Sequence, residues 1–282
     1  MTVKLIAFDL DGTLLDDRKR LPAENLAALQ TAERAGIILV PATGRILRGI
    51  PEELLETGMF RYFILSNGAS VYDLGAEKRL FHAGIPTEQA VRICEYVDQF
   101  PFLYDCYLGE NGYMTQWMYD AAPEYFVREP EILKLVRKLR IPVPELKASL
   151  LEMNEPPEKL QIYFRTDQIG ERPRHMFALR ERFPGLRVTY SMRNNIEINS
   201  AEAGKGNALC ALCTHLGIDL SETVAFGDGL NDIDMIETAG CGVAMENADP
   251  LVIQKATGVA GNNNAGGVGK EILRLLKEDG QK

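Results

Sequence analysis

The sequence predicts an α/β fold: a doubly wound parallel sheet whose two halves lie at the ends of the chain, interrupted by an inserted α+β domain. Three observations carry this. Short apolar runs alternate with helical patterns through the first third, which is how parallel strands covered on both faces read. The same alternation returns over the last third. Between them, from residue 84 to residue 199, hairpin-like strand pairs replace it.

In chain order, Val3 to Phe8 is an apolar run that reads as the first strand. A polar, glycine-containing turn follows, and Ala23 to Ala35 carries apolar residues at helical spacing with Gly36 as the stop. Ile37 to Pro41 reads as strand, Leu47 to Glu56 as helix and Tyr62 to Leu65 as a third strand of the same sheet. Val71 to Leu74 and Arg79 to Phe81 suggest a hairpin. The insert begins with helix Glu88 to Phe100 and continues through strands near Phe102 to Leu108 and Tyr113 to Trp117. A helical stretch between Pro123 and Arg140, strand Leu160 to Arg165, helix Arg174 to Phe183 and strands Arg187 to Tyr190 and Asn195 to Ile198 complete it. The return leg reads as helix Lys205 to Leu216, strand Thr223 to Phe226, helix Asn231 to Thr238, strand Gly242 to Met245, helix Pro250 to Lys255, strand Val259 to Ala260 and helix Val268 to Glu278. Residues 1–83 and 200–282 are therefore expected to form one core, and residues 84–199 a second domain.

The 282 residues are 46% hydrophobic and 25% charged, an ordinary balance for a folded chain. With 31 basic against 40 acidic residues the formal charge is -9, and no Lys/Arg stripe exists to neutralise a phosphate backbone. This argues against a nucleic-acid partner. The first strand starts almost at Met1, without a signal-peptide pattern, and no apolar run approaches the roughly 20 residues that span a bilayer. A cytoplasmic protein without a membrane partner is expected, as a monomer or weak homodimer. Five scattered cysteines fit reduced thiols; Cys210 and Cys213 form a C-x-x-C, but inside a helical pattern, where thiols on a helix face are the expected reading.

Four polar clusters sit at or beside the ends of predicted core strands, where open α/β sheets bind ligands. The first is Asp9-Leu10-Asp11-Gly12-Thr13, directly after the first strand. The second, Thr43-Gly44-Arg45, offers a hydroxyl and helix-terminal N–H groups to a phosphate oxygen. The third is Lys205, which opens a helix after a glycine. A cation there opposes the helix dipole, so another need is implied, such as neutralising a carboxylate and a phosphate together. The fourth is Gly227-Asp228-Gly229-Leu230-Asn231-Asp232, with hard oxygen ligands of the kind Mg²⁺ prefers. Taken singly, each reads equally as a turn or a cap; four on one sheet edge point to a site.

In this order the clusters resemble the four motifs of the haloacid dehalogenase-like hydrolase superfamily. The A-T-G-R form of the second, the Gly-Lys-Gly of the third, G-D-G-x-N-D and the insert between the second and third resemble its Cof-type branch, subfamily IIB. The resemblance implies a Rossmann-like core with a C2B-type α+β cap. It further implies a Mg²⁺-dependent phosphatase that hydrolyses a small phosphorylated metabolite, a sugar phosphate or phosphorylated cofactor, through an aspartyl-phosphate. By the same resemblance Asp9 is the nucleophile and Asp11 the general acid and base. Thr43, Gly44, Lys205 and Asn231 hold the phosphate; Asp9, Asp228 and the main-chain carbonyl of Asp11 hold the metal. Gly12, Arg45, Asn67 and Asp232 support them. The cap is expected to carry specificity, and its aromatic residues Tyr104, Tyr107, Tyr113, Trp117 and Tyr119 either stack on a substrate ring or fill the cap core. A phosphomannomutase-like sugar phosphomutase shares the nucleophile and cap type and stays open as an alternative. So does a non-catalytic binding protein, against which the retention of Asp9, Asp11 and Asp228 counts.

Overall fold

β1 (Leu5–Phe8) is buried along its whole length, as its unbroken apolar sequence requires, and pairs in parallel with a strand on each side. The computed structural model describes residues 2–279. α1 (Ala23–Arg34) ends before Gly36, whose φ of 81° is the left-handed conformation that a residue without Cβ adopts freely. β2 (Ile38–Pro41) lies beside β1. The expected helix from Leu47 to Glu56 is not continuous: a 3-10 turn, Leu47–Gly49, precedes Pro51, which has no N–H to donate, and α2 (Glu52–Glu56) starts after it. β3 (Tyr62–Leu65), β4 (Ser70–Asp73) and β5 (Lys78–His82) form an antiparallel sheet of three. The third strand thus meets the chain just beyond β2 through one isolated parallel bridge, Ala42 to Ile64, and otherwise belongs to the hairpin rather than to the parallel sheet.

The insert contains α3 (Thr87–Val97), β6 (Leu103–Leu108), β7 (Asn111–Thr115), α4 (Gln116–Tyr125), α5 (Pro130–Leu139), β8 (Arg140–Val143), α6 (Leu146–Met153), β9 (Lys159–Tyr163), α7 (Arg172–Arg182), β10 (Leu186–Thr189) and β11 (Asn195–Ser200). Its six strands run in the order β10-β11-β9-β6-β7-β8. The strand expected to reach Trp117 stops at Thr115. Met118, Ala122 and Tyr125 recur at helical spacing and bury one side of α4, so the helix begins before Pro123. β8 and α6 were not foreseen, being a four-residue strand that contains a proline and an eight-residue helix. Of the aromatic residues, Tyr104 and Tyr107 are buried and Tyr113 and Tyr119 pack against the insert's core, whereas Trp117 is exposed. Buried Asp105 accepts hydrogen bonds from Arg140, Gln161 and Tyr163, so its charge is paired.

The return leg adds α8 (Lys205–Leu216), β12 (Thr223–Gly227), α9 (Ile233–Thr238), β13 (Cys241–Met245), α10 (Pro250–Lys255), β14 (Gly258–Ala260) and α11 (Gly267–Asp279). Its strands complete a five-stranded parallel sheet ordered β14-β13-β12-β1-β2, so the core is an α/β sheet assembled from both ends of the chain. The chain divides into two compact units. One takes the residues up to Arg45, Ile50–His82 and those from Gly204 on; the other takes Ile46–Gly49 and Ala83–Ala203. The short segment Ile46–Gly49 joins the insert because Ile46 packs with Tyr107 and Leu139 and Arg48 donates to Asn111 Oδ1 at 2.6 Å. Cys210 and Cys213 both lie on α8, Cys213 buried, and all five cysteines are free. Among the described residues, no helix is long and apolar enough to cross a membrane.

Candidate active site

Asp9 follows β1 directly, and its N–H donates to the Phe226 carbonyl (3.0 Å), which anchors the first loop to the end of β12. The chain then folds back: the Leu14 N–H reaches the Asp9 carbonyl (3.1 Å) and the Leu15 N–H the Leu10 carbonyl (2.9 Å). Gly12 at this bend has φ of 88°, and a Cβ there would stand 2.5 Å from Asp228 Oδ2. Both the conformation and the space exclude a side chain. Thr13 Oγ1 donates to Asp228 Oδ1 at 2.8 Å, so the first and fourth clusters are joined.

Lys205, fully buried at the start of α8, donates to Asp9 Oδ1 (2.6 Å) and Asp232 Oδ1 (2.5 Å). These carboxylates supply the compensation that a cation at a helix N-terminus needs. Asp232 Oδ2 accepts from the N–H groups of Asp228 (3.0 Å) and Gly229 (2.9 Å), which folds the fourth loop around its own carboxylate. One carboxylate oxygen from each of Asp9, Asp228 and Asp232 lies within 4.8 Å of the others. Asp232 thus lies in the same acidic cluster as Asp9 and Asp228.

Burial sets the titration of these groups first. It pushes Asp9 up to about 8, with Lys205 opposing and the charges of Asp232, Asp228 and Asp11 reinforcing it. It also pushes Asp228 up to about 6, again reinforced by Asp232 and opposed by the Thr13 hydrogen bond. Burial disfavours the Lys205 cation, but Asp232 and Asp9 outweigh it and hold the ammonium well above its ordinary range.

Asp11 stands apart from this cluster. Arg45 grips it with two hydrogen bonds, Nε to Oδ2 and Nη2 to Oδ1, both 2.8 Å, and Lys19 Nζ adds a third contact at 2.8 Å. Burial alone would raise its pKa, but the Arg45 hydrogen bond and charge, then Lys19, hold it down to about 2. Lys19 has no signal in the sequence. It sits in a tight turn at φ of 61°, presented by Asp16, whose carboxylate accepts from the N–H groups of Arg18 and Arg20. In an Arg45→Met variant the carboxyl of Asp11 should titrate clearly above 2, measured by carbon-detected NMR, since Arg45 supplies the two largest of the interactions that hold it down. A value still near 2 would contradict the Arg45 assignment.

The second cluster lies on the neighbouring strand end, where the Ala42 N–H donates to the Phe8 carbonyl at 2.8 Å. Thr43 is buried; its N–H donates to Ile64, and its carbonyl accepts from the Asn67 N–H. Gly44 lies between it and Arg45. Asn67 is buried in a left-handed conformation (φ 63°), with Asn231 Nδ2 3.4 Å from its Oδ1. Gly68 beside it leaves no room for a Cβ, which would lie 2.2 Å from the Gly204 carbonyl carbon. The 66–68 turn is thereby pressed against the start of α8. A separate cavity of about 360 Å³, lined by residues such as Leu21, Gln30, Glu53 and Met59, shares no residue with these clusters.

The model of the family described as haloacid dehalogenase-like hydrolase matches residues 6–272. Phosphatase YwpJ of Bacillus subtilis is 32% identical, over 97% of this chain and 100% of that protein. The pyridoxal phosphate phosphatase YbhA of Escherichia coli is 28% identical, over 98% of this chain and all of that protein. Among solved structures, a haloacid dehalogenase-like hydrolase from Bacteroides thetaiotaomicron superposes with a TM-score of 0.82 at 26% identity, covering 97% of this chain and 100% of its own.

Proposed function

Because this chain belongs to the haloacid dehalogenase-like hydrolase family, we propose that it is a Mg²⁺-dependent phosphatase of small phosphorylated metabolites that forms a phosphoryl ester on Asp9. The observation that carries this is the buried Asp9 carboxylate at the end of β1, salt-bridged to Lys205 and grouped with Asp228 and Asp232. The class of reaction, hydrolysis of a phosphoric monoester, is that of the similar proteins named phosphatases.

The donor set suits a hard cation, since the cluster offers carboxylate oxygens and neither His nor Cys. Both oxygens of Asp232 are already engaged, which leaves Asp9 and Asp228, with the main-chain carbonyl of Asp11, to hold Mg²⁺. When bound, it supplies the positive charge that lets an anionic carboxylate approach an anionic phosphate. Asp9 attacks phosphorus, the bond to the leaving oxygen breaks and Asp11 protonates that oxygen. Water then attacks the acylphosphate, Asp11 takes up its proton, and Asp9 and inorganic phosphate are released. Held ionised by Arg45 and Lys19, Asp11 is ready for the second of these steps; for the first it has to turn out of the Arg45 fork to carry a proton. Lys205 and Thr43, with Gly44 and Asn231, offset charge on the non-bridging oxygens.

The metabolite is one with a small polar or cyclic leaving group, such as a sugar phosphate or a phosphorylated cofactor; pyridoxal phosphate, named for the YbhA relative, leads the panel to be tested. Residues 84–199 form the cap in this reading and carry specificity, because the core contacts are common to any phosphate ester. Five free cysteines suit a reducing, cytoplasmic compartment. Phosphate release with Mg²⁺ over a metabolite panel should single out a few substrates. Replacing residues 84–199 by a short linker should flatten that ranking while sparing p-nitrophenyl phosphate. Interconversion of hexose 1- and 6-phosphates without phosphate release would instead establish a mutase, and a folded core that ranks the panel as before would remove the cap from specificity.

A further inference from the structure

Three asparagines from distant positions converge on the loop that follows β1. Asn247 Nδ2 donates to the Gly12 carbonyl (2.8 Å), Asn25 Nδ2 to the Leu14 carbonyl (2.7 Å) and Asn263 Nδ2 to the Leu15 carbonyl (3.1 Å). These amides are themselves oriented. The Asn263 N–H donates to Asn247 Oδ1 (3.0 Å) and the Gly269 N–H to Asn25 Oδ1 (2.7 Å). An amide that spends its oxygen on one segment and its nitrogen on another fixes the distance between them.

For Asn247 that distance matters to the site. The stretch that carries it is tied to the fourth cluster, because the Asp249 N–H donates to the Asp228 carbonyl at 3.0 Å. Gly12 is therefore located from two directions: its α-carbon faces the Asp228 carboxylate, and its carbonyl is held by a side chain two residues from Asp249. We propose that Asn25, Asn247 and Asn263 form a brace that sets the Asp9–Asp11 loop against Asp228, with Asn247 as the positioning residue that couples the two. The catalytic part of this rests on the phosphatase reading.

Asn247 is exposed, so its truncation leaves no internal cavity. In Asn247→Ala, kcat for p-nitrophenyl phosphate at saturating Mg²⁺ falls about tenfold while KM stays within about threefold, the pattern of lost positioning rather than lost binding. Asn247→Asp, which keeps an acceptor for the Asn263 N–H but has no N–H for Gly12, falls as far. Amide exchange at Thr13, Leu14 and Leu15 quickens about fivefold in both variants, the scale of one lost hydrogen bond. Unchanged exchange with unchanged kcat overturns the brace, as does an effect confined to KM or to melting temperature. Should the wild-type chain release no phosphate, the phosphatase reading falls by itself, and the exchange rates still decide the brace.

Discussion

An Asp9→Asn variant is expected to fold and to lose at least about 10⁴-fold in turnover, the scale on which removal of a covalent nucleophile is felt. The fold should not suffer, because the charged form of Asp9 is not what the metal-free site favours. Burial, and then the charges of Asp232, Asp228 and Asp11, push its pKa up to about 8 against the pull of Lys205. A neutral amide of the same shape still accepts from Lys205, so the metal-free variant should melt no lower than the wild type near pH 8. Steady-state phosphate release and scanning calorimetry read the two halves of this expectation. More than about a hundredth of the wild-type rate in a folded variant would rule out Asp9 as the nucleophile.

Exhaustive chelation should abolish turnover, with Mg²⁺ restoring it better than Ca²⁺, whose larger coordination number would draw both oxygens of Asp9 from their line of attack. The same carboxylates should fix the pH dependence of metal binding. In the metal-free chain the pKa of Asp9 is raised from 3.8 to about 8 and that of Asp228 from 3.8 to about 6. The folded state therefore binds more protons than the unfolded state across that window. Stability from these two groups is complete below their unfolded values and is lost as pH rises through about 6 and then about 8. A cation that binds the ionised carboxylates of the folded chain works in the opposite sense. The rise in melting temperature on adding Mg²⁺ should therefore be larger at pH 8 than at pH 6, and binding near neutral pH should release protons, seen by calorimetry in buffers of different ionisation enthalpy. Equal rises at both pH values would remove Asp9 and Asp228 from the metal site.

What could be read from the sequence is what local chemistry controls. Asp9, Thr43, Lys205 and Asp228 each follow a strand or open a helix, so their placement on one sheet edge follows once the alternation is recognised. The approach of Asp9 to Lys205 needs, besides the parallel pairing of β1 with β12, the packing of α8 on that sheet through Ala208, Leu209 and Leu212. Lys19 and the three asparagines act differently. Asn247 meets Gly12 across 235 positions and Asn263 meets Leu15 across 248, through contacts between side chain and main chain that leave no periodicity or spacing behind. The departure of β3 from the parallel sheet was equally hidden, because four buried apolar residues look alike in a parallel strand and in the first arm of a hairpin.

The sheet that carries the site also dictates an order of assembly. β1 leaves the ribosome first, yet its partner β12 and the Lys205 that pairs with Asp9, 196 positions away, are synthesised only after the insert is complete. The insert's sheet, by contrast, is drawn from one unbroken stretch, β6 to β11, and can close as soon as that stretch has emerged. Until then β1 is an apolar segment with one long-range edge unpaired, exposed to aggregation for the whole of that interval. Growth temperature and translation speed should therefore govern the yield of active enzyme through β1, and a nascent chain released between Ser200 and Thr223 contains the whole insert but not the β12 partner of β1.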